Sequence, residues 1–174
     1  MLDFLLAIIK GTPIYVWVIF AFLVSRGLSL RKDGPVSVKK SMLMPMVFIV
    51  WGLWKVITDF AFPLWALVAY IILTTIGTGF GYLLYSSTQK FDVRRSVFFR
   101  LGSTVPLVVI MLNFIVKYVL NVCMAINPQL LGDLGFNIIY CSASGLTVGL
   151  FIGGICNIVS NWKQMRQKDE GFVL

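Results

Sequence analysis

Five long apolar runs, at residues 13–30, 41–59, 64–85, 101–125 and 135–161, take up most of the chain, and the links between them are short and charged or proline-bearing. A helix needs about 20 apolar residues to cross the hydrocarbon core of a bilayer. Backbone facing lipid must also satisfy its hydrogen bonds internally, so each run is expected to be helical. Composition agrees: 59% of the 174 residues are hydrophobic and 13% charged, against about half and a quarter in a soluble domain. The expected fold is all-α, an integral membrane bundle of about five transmembrane helices forming a single domain over residues 1–174.

Charge placement sets the expected orientation. Twelve of the fifteen Lys and Arg residues fall in the loops after the first and third runs or in the C-terminal tail, while Asp3, Asp59 and Asp133 fall on the other side. Lys and Arg concentrate on the cytoplasmic side of a membrane, which puts the N-terminus outside and the C-terminus in the cytoplasm. The same pattern assigns the net charge of +8 to membrane orientation and to contact with anionic lipid headgroups, not to nucleic acid. No cleavable signal peptide is expected, because Met1-Leu2-Asp3-Phe4 lacks a basic start. The first helix has two readings. Thr12-Pro13 can serve as N-cap and N1 of a helix over 13–30, leaving residues 2–10 as an interfacial piece, or one helix runs from about residue 4 to 25.

Within the fourth run stands Lys117, flanked at i−4 and i+4 by Asn113 and Asn121 and followed by Tyr118. The three polar residues share one helical face. Eight residues separate Lys117 from the outer end of its run, about 12 Å along a helix, too deep for the side chain to snorkel fully. A cation placed there costs several kcal/mol, so it is expected to face the bundle or a wet cavity. Its expected partners are Asp59, the two Asn amides or exposed carbonyls; failing these it sheds its charge. Read blandly, this is a polar clamp between helices. Read sharply, Lys117, Asn113, Asn121 and Tyr118 coordinate an anion or polar substrate, with Lys55 and Asp59, an i,i+4 pair on the second run, close by or simply neutralising each other at the interface.

Small residues recur every four positions in the fifth run: Cys141, Gly145, Gly149, Gly153 and Asn157. Such a stripe lets another helix approach backbone to backbone. The partner is expected to be the fourth or first helix of the same chain, or a second copy. Gly77 and Gly81, with Thr74 and Thr78, form a weaker stripe in the third run. Histidine is absent and the three cysteines form no CxxC, so no metal or other cofactor is expected. Cys123, Cys141 and Cys156 read as small packing residues, with one Cys123–Cys141 bridge left open. No carboxylate lies mid-span and no serine or cysteine has an evident base nearby, so enzymatic chemistry is not expected.

The order Arg26-Gly27-Leu28, Phe114-Ile115-Val116-Lys117-Tyr118, Ala125…Pro128 and Ser144-Gly145…Gly149…Gly153 resembles a family of small multi-pass bacterial inner-membrane proteins of unknown function. The resemblance spans about residues 12–160 and departs at Gly154, where that family commonly carries arginine. It implies the membrane fold and a bacterial inner-membrane location, and it carries no activity. From the residues themselves, two functions are expected as alternatives. The chain binds or moves a small polar or anionic solute, as an oligomer, or it is a non-catalytic scaffold or accessory subunit whose polar stripe holds a membrane partner.

Overall fold

The computed structural model describes residues 10–36, 38–94 and 97–170. Five helices dominate: α1 (Ile14–Ser29), α2 (Val38–Asp59), α3 (Pro63–Thr88), α4 (Val105–Ile126) and α5 (Leu134–Glu170). A short 3-10 turn, Pro128–Gly132, joins α4 to α5. Among the described residues, three helices, Pro63–Thr88, Val105–Ile126 and Leu134–Met165, are each long and apolar enough to cross a membrane, while the apolar α1 has 16 residues. The expected residues 2–10 helix lies outside the described residues except for Lys10, which is helical and exposed.

One helix end corrects a local expectation. Pro13, not Thr12, occupies the cap position of α1 and no side chain caps it; the Thr12 hydroxyl is instead hydrogen-bonded to Tyr118 at 2.7 Å. A proline at that position has no side-chain acceptor to offer the first-turn N–H groups, and the Val16 N–H bonds the Pro13 carbonyl at 3.0 Å. Asp133 does cap α5, accepting from the Phe136 N–H at 2.6 Å and placing a negative charge at the positive end of the helix.

The loops are not wholly irregular. Three short strands, β1 (Gly34–Pro35), β2 (Phe91–Arg94) and β3 (Val97–Arg100), form an antiparallel sheet in the order β1-β3-β2. Phe91 pairs with Arg100 and Arg94 with Val97, while β1 adds Gly34 opposite Arg100. The all-α expectation is corrected to this extent: the two basic loops meet edge to edge. Gly102 lies against the Arg31 carbonyl and Ser103 N–H donates to Leu30 at 3.2 Å. At the other end of the bundle, Ala61 N–H donates to Leu131 at 3.2 Å.

The closest pairing in the molecule joins α3 to α5, and it corrects the expected partner of the glycine stripe. Gly145 faces the Tyr70 backbone, Gly149 that of Thr74 and Thr78, and Gly153 that of Thr78 and Tyr82. In return Gly77 and Gly81 face the backbones of Leu146 and Leu150. Both series ascend together, so the helices run parallel. A methyl group at any of the five would come within 3.0 Å of the opposing backbone. The two stripes therefore interlock with each other; neither packs on α4 or α1, which pair with each other, and neither is left for a second copy.

Packing divides along the bundle into two apolar clusters. One, around Leu23, Phe48, Val109, Ile110, Val148 and Phe151, lies towards the sheet. The other, around Val56, Phe60, Ala66, Met124 and Tyr140, lies towards the 3-10 turn. Between them along the bundle fall Thr74, Asn113, Lys117 and Ser144, a band of buried or partly buried polar side chains on three helices.

Candidate functional site

Lys117 projects from α4 to the junction of the other long helices. Its Nζ donates to the Ser144 hydroxyl on α5 at 3.4 Å and stands 6.0 Å from the centre of the Tyr140 ring. From α2, a Cβ built on Gly52 would be 3.6 Å from that nitrogen and 3.8 Å from the Tyr70 hydroxyl of α3. The side chain is 6% exposed. An ammonium has three donors; among the described residues one makes a long bond and no carboxylate acts on the group. The buried Cys141 thiol is a neutral neighbour of the ammonium.

Neither Asn amide reaches the nitrogen, contrary to one expectation. Asn121 turns back along α4, its Nδ2 donating to the Lys117 carbonyl at 2.7 Å, and it faces the Tyr140 hydroxyl. Asn113 is fully buried, and both its Nδ2 and Oδ1 lack a hydrogen-bond partner. The Tyr70 hydroxyl and Thr74 Oγ1 are buried and unpartnered as well. Buried polar atoms nearly always find partners. The Tyr70 orphan lies beside the cation, on the same Gly52 Cβ position, and with Asn113 and Thr74 leaves unmet hydrogen-bonding capacity in the bundle interior.

A cavity of about 680 Å³ opens beside this band, between α1 and the second half of α4. Lys117, Tyr118 and Asn121 line it, with Thr12 on the facing wall and apolar side chains such as Ile19, Phe48, Phe114 and Met124 around them. Phe114 stacks on Tyr118 with ring centres 6.0 Å apart and packs on Phe20 at 5.0 Å, which fixes the Tyr118 ring against the Thr12 bond. A family model for a family of unknown function, DUF6622, matches residues 2–166. The chain belongs to that family. No curated protein and no solved structure matches it.

The DUF6622 chain thus brings together three of the expected site residues, Lys117, Tyr118 and Asn121, in one cavity wall, and places Asn113 a turn deeper, outside the lining. Asp59 is exposed at the end of α2, where it accepts from the Thr58 hydroxyl at 2.7 Å and acts on Tyr140. It does not pair with Lys117. The side chain of Lys55 lies outside the described residues. Tyr70, Tyr140 and Ser144 were not expected at the site: each is a neutral polar residue within an apolar run, and pairing with Lys117 is visible only once four helices converge. The three cysteines are free thiols, with Cys141 buried and Cys156 exposed. The 123–141 bridge is not formed, and Cys156 is not the buried packing residue expected. Among the described residues no group of three or more His, Cys, Asp or Glu side chains could hold a metal ion.

Proposed function

We propose that the chain is a five-span protein of the bacterial inner membrane that binds a small anionic or polar solute at mid-depth, with Lys117 as the cation that receives it. One observation carries this reading: a buried Lys117 that among the described residues makes one hydrogen bond, 3.4 Å long, in a bundle whose Tyr70, Asn113 and Thr74 side chains are buried and unpartnered. An anionic group entering there would meet a desolvated charge and several idle hydrogen-bonding atoms. The adjoining apolar cavity suits a solute with a short hydrocarbon part. Movement of the solute across the membrane and assembly into an oligomer belong to the same proposal; an oligomer would use a face other than the α3–α5 glycines.

Short carboxylates test it, with hexanoate as the probe. Hexanoate should raise the melting temperature of the detergent-solubilised protein in a dose-dependent way. The shift should vanish in Lys117→Met, and at a hundred times the dissociation constant it corresponds to about 2.7 kcal/mol. A wild type that ignores acetate, butyrate and hexanoate alike, or a variant that responds equally, sinks the reading. The Ser144 bond favours one rival, a clamp between α4 and α5 in a scaffold or accessory subunit. A clamp predicts that Lys117→Met and Ser144→Ala each lower stability or release a partner, with no solute effect to lose.

A further inference from the structure

A second cavity, of about 240 Å³, lies at the basic end, where α1, α2, α3 and α5 meet the sheet. Its polar wall is made by Arg26, Gln89 and Arg100, and its floor by Ile110, Phe151 and Ile158. Gln89 follows the last turn of α3, and its N–H is tied to the Tyr85 carbonyl at 2.8 Å. That bond holds the residue at the cavity with its side chain 6% exposed, yet neither Oε1 nor Nε2 has a hydrogen-bond partner. Arg100 extends one Nη2 bond of 3.5 Å to the Leu30 carbonyl, and its buried Nε is unpartnered. Burial lowers the proton affinity of this guanidinium and Tyr85 raises it; a group this basic keeps its charge. Among the described residues no carboxylate lines the cavity.

We infer that this cavity is an oxyanion site, built to take the phosphate group of an anionic phospholipid. Two arginines on the wall and an unspent amide donor supply the kind of donors that phosphate oxygens accept. The volume is below that of pockets for whole drug-sized ligands, so it suits a headgroup. The apolar floor continues into the bundle, where a glycerol backbone and the start of an acyl chain would lie. Basic pockets between helices at the cytoplasmic face are where anionic headgroups settle. A free phosphate would satisfy the same groups without using the floor. None of these residues touches Lys117, so the two sites stand or fall separately.

The test uses the full chain in nanodiscs of phosphatidylcholine doped with phosphatidylglycerol, with retained lipid counted by native mass spectrometry. Wild type should keep phosphatidylglycerol in preference to phosphatidylcholine. Gln89→Leu and Arg100→Gln should each weaken that retention about tenfold. Lys90→Gln, an exposed cation at the same end, should change it less than about twofold. If Arg100→Gln does not fold, Gln89→Leu decides, since it replaces an unpartnered amide by an apolar group of similar size. Inorganic phosphate that displaces the lipid and stabilises the protein equally supports the oxyanion site and names a free phosphate as its source. Equal retention by wild type and Gln89→Leu, or a loss in Lys90→Gln as large as in Arg100→Gln, overturns the site in favour of diffuse surface charge.

Discussion

Asn113 is the residue whose environment is hardest to explain by folding alone. A buried donor or acceptor without a partner costs about 1–3 kcal/mol, and Asn113 leaves both ends of its amide unpaired at zero exposure. Leucine has nearly its shape and no polar atoms. Asn113→Leu should therefore stabilise the empty protein by about 1–3 kcal/mol, read as a raised melting temperature in detergent. If the amide serves a bound solute, the same variant should weaken hexanoate binding. A fall in stability would mean that the amide is already satisfied in the native protein, and the idle-donor argument would fail with it.

At the scale of elements, the interlocked α3 and α5 make a sharp contrast between glycines two positions apart on one helix. A Cβ on Gly77 would strike the Leu146 carbonyl, whereas one on Gly79 would meet nothing within 4 Å. Gly77→Leu must push two parallel backbones apart, and overpacking of this kind costs about 1–3 kcal/mol or more. Gly79→Leu should be neutral or gain a little from helix propensity, at most about 1 kcal/mol. Thermal unfolding of the two variants side by side checks the pairing; equal behaviour would refute it. What the chain's residues revealed in advance divides along the same line. Helices over the apolar runs were legible because hydropathy is a local property, and boundaries at Asp59 and near Pro63 followed from charge and proline. Both glycine stripes were legible as contact surfaces, yet their mutual pairing was not, since small residues specify closeness and not a partner. The hairpin of β2 and β3 was missed because Phe91-Asp92-Val93-Arg94 sits in a stretch dense with charge; its alternation of apolar and charged residues was the available signal. At the site, Lys117 stood out because a charge in an apolar run is costly. Tyr70, Tyr140 and Ser144 did not, because neutral polar side chains in such runs are common and acquire meaning only from what they face.

For the whole molecule, the parallel course of α3 and α5 has a consequence for topology. Two neighbouring helices that run the same way, with α4 returning between them, put the ends of α3 and α5 on one side. The sheet draws the link after α1 to that same side through Gly34 and Arg100. The basic residues of both loops and of the α5 tail therefore gather at one end, while Asp59 and Asp133 lie at the other. Cationic loops resist translocation across a membrane, so the proposed orientation predicts a cytoplasmic sheet end and an Asp133 end on the opposite side. Single cysteines introduced at Lys32, Lys90 and Asp133, in a chain whose three native cysteines are replaced, should separate cleanly with a membrane-impermeant thiol reagent. Intact cells should label the Asp133 position alone, and permeabilised cells all three. Labelling at Lys32 or Lys90 from outside would invert the orientation. Labelling of one of those two without the other would contradict the sheet itself, because strands paired across β1 and β3 cannot lie on opposite sides of a bilayer.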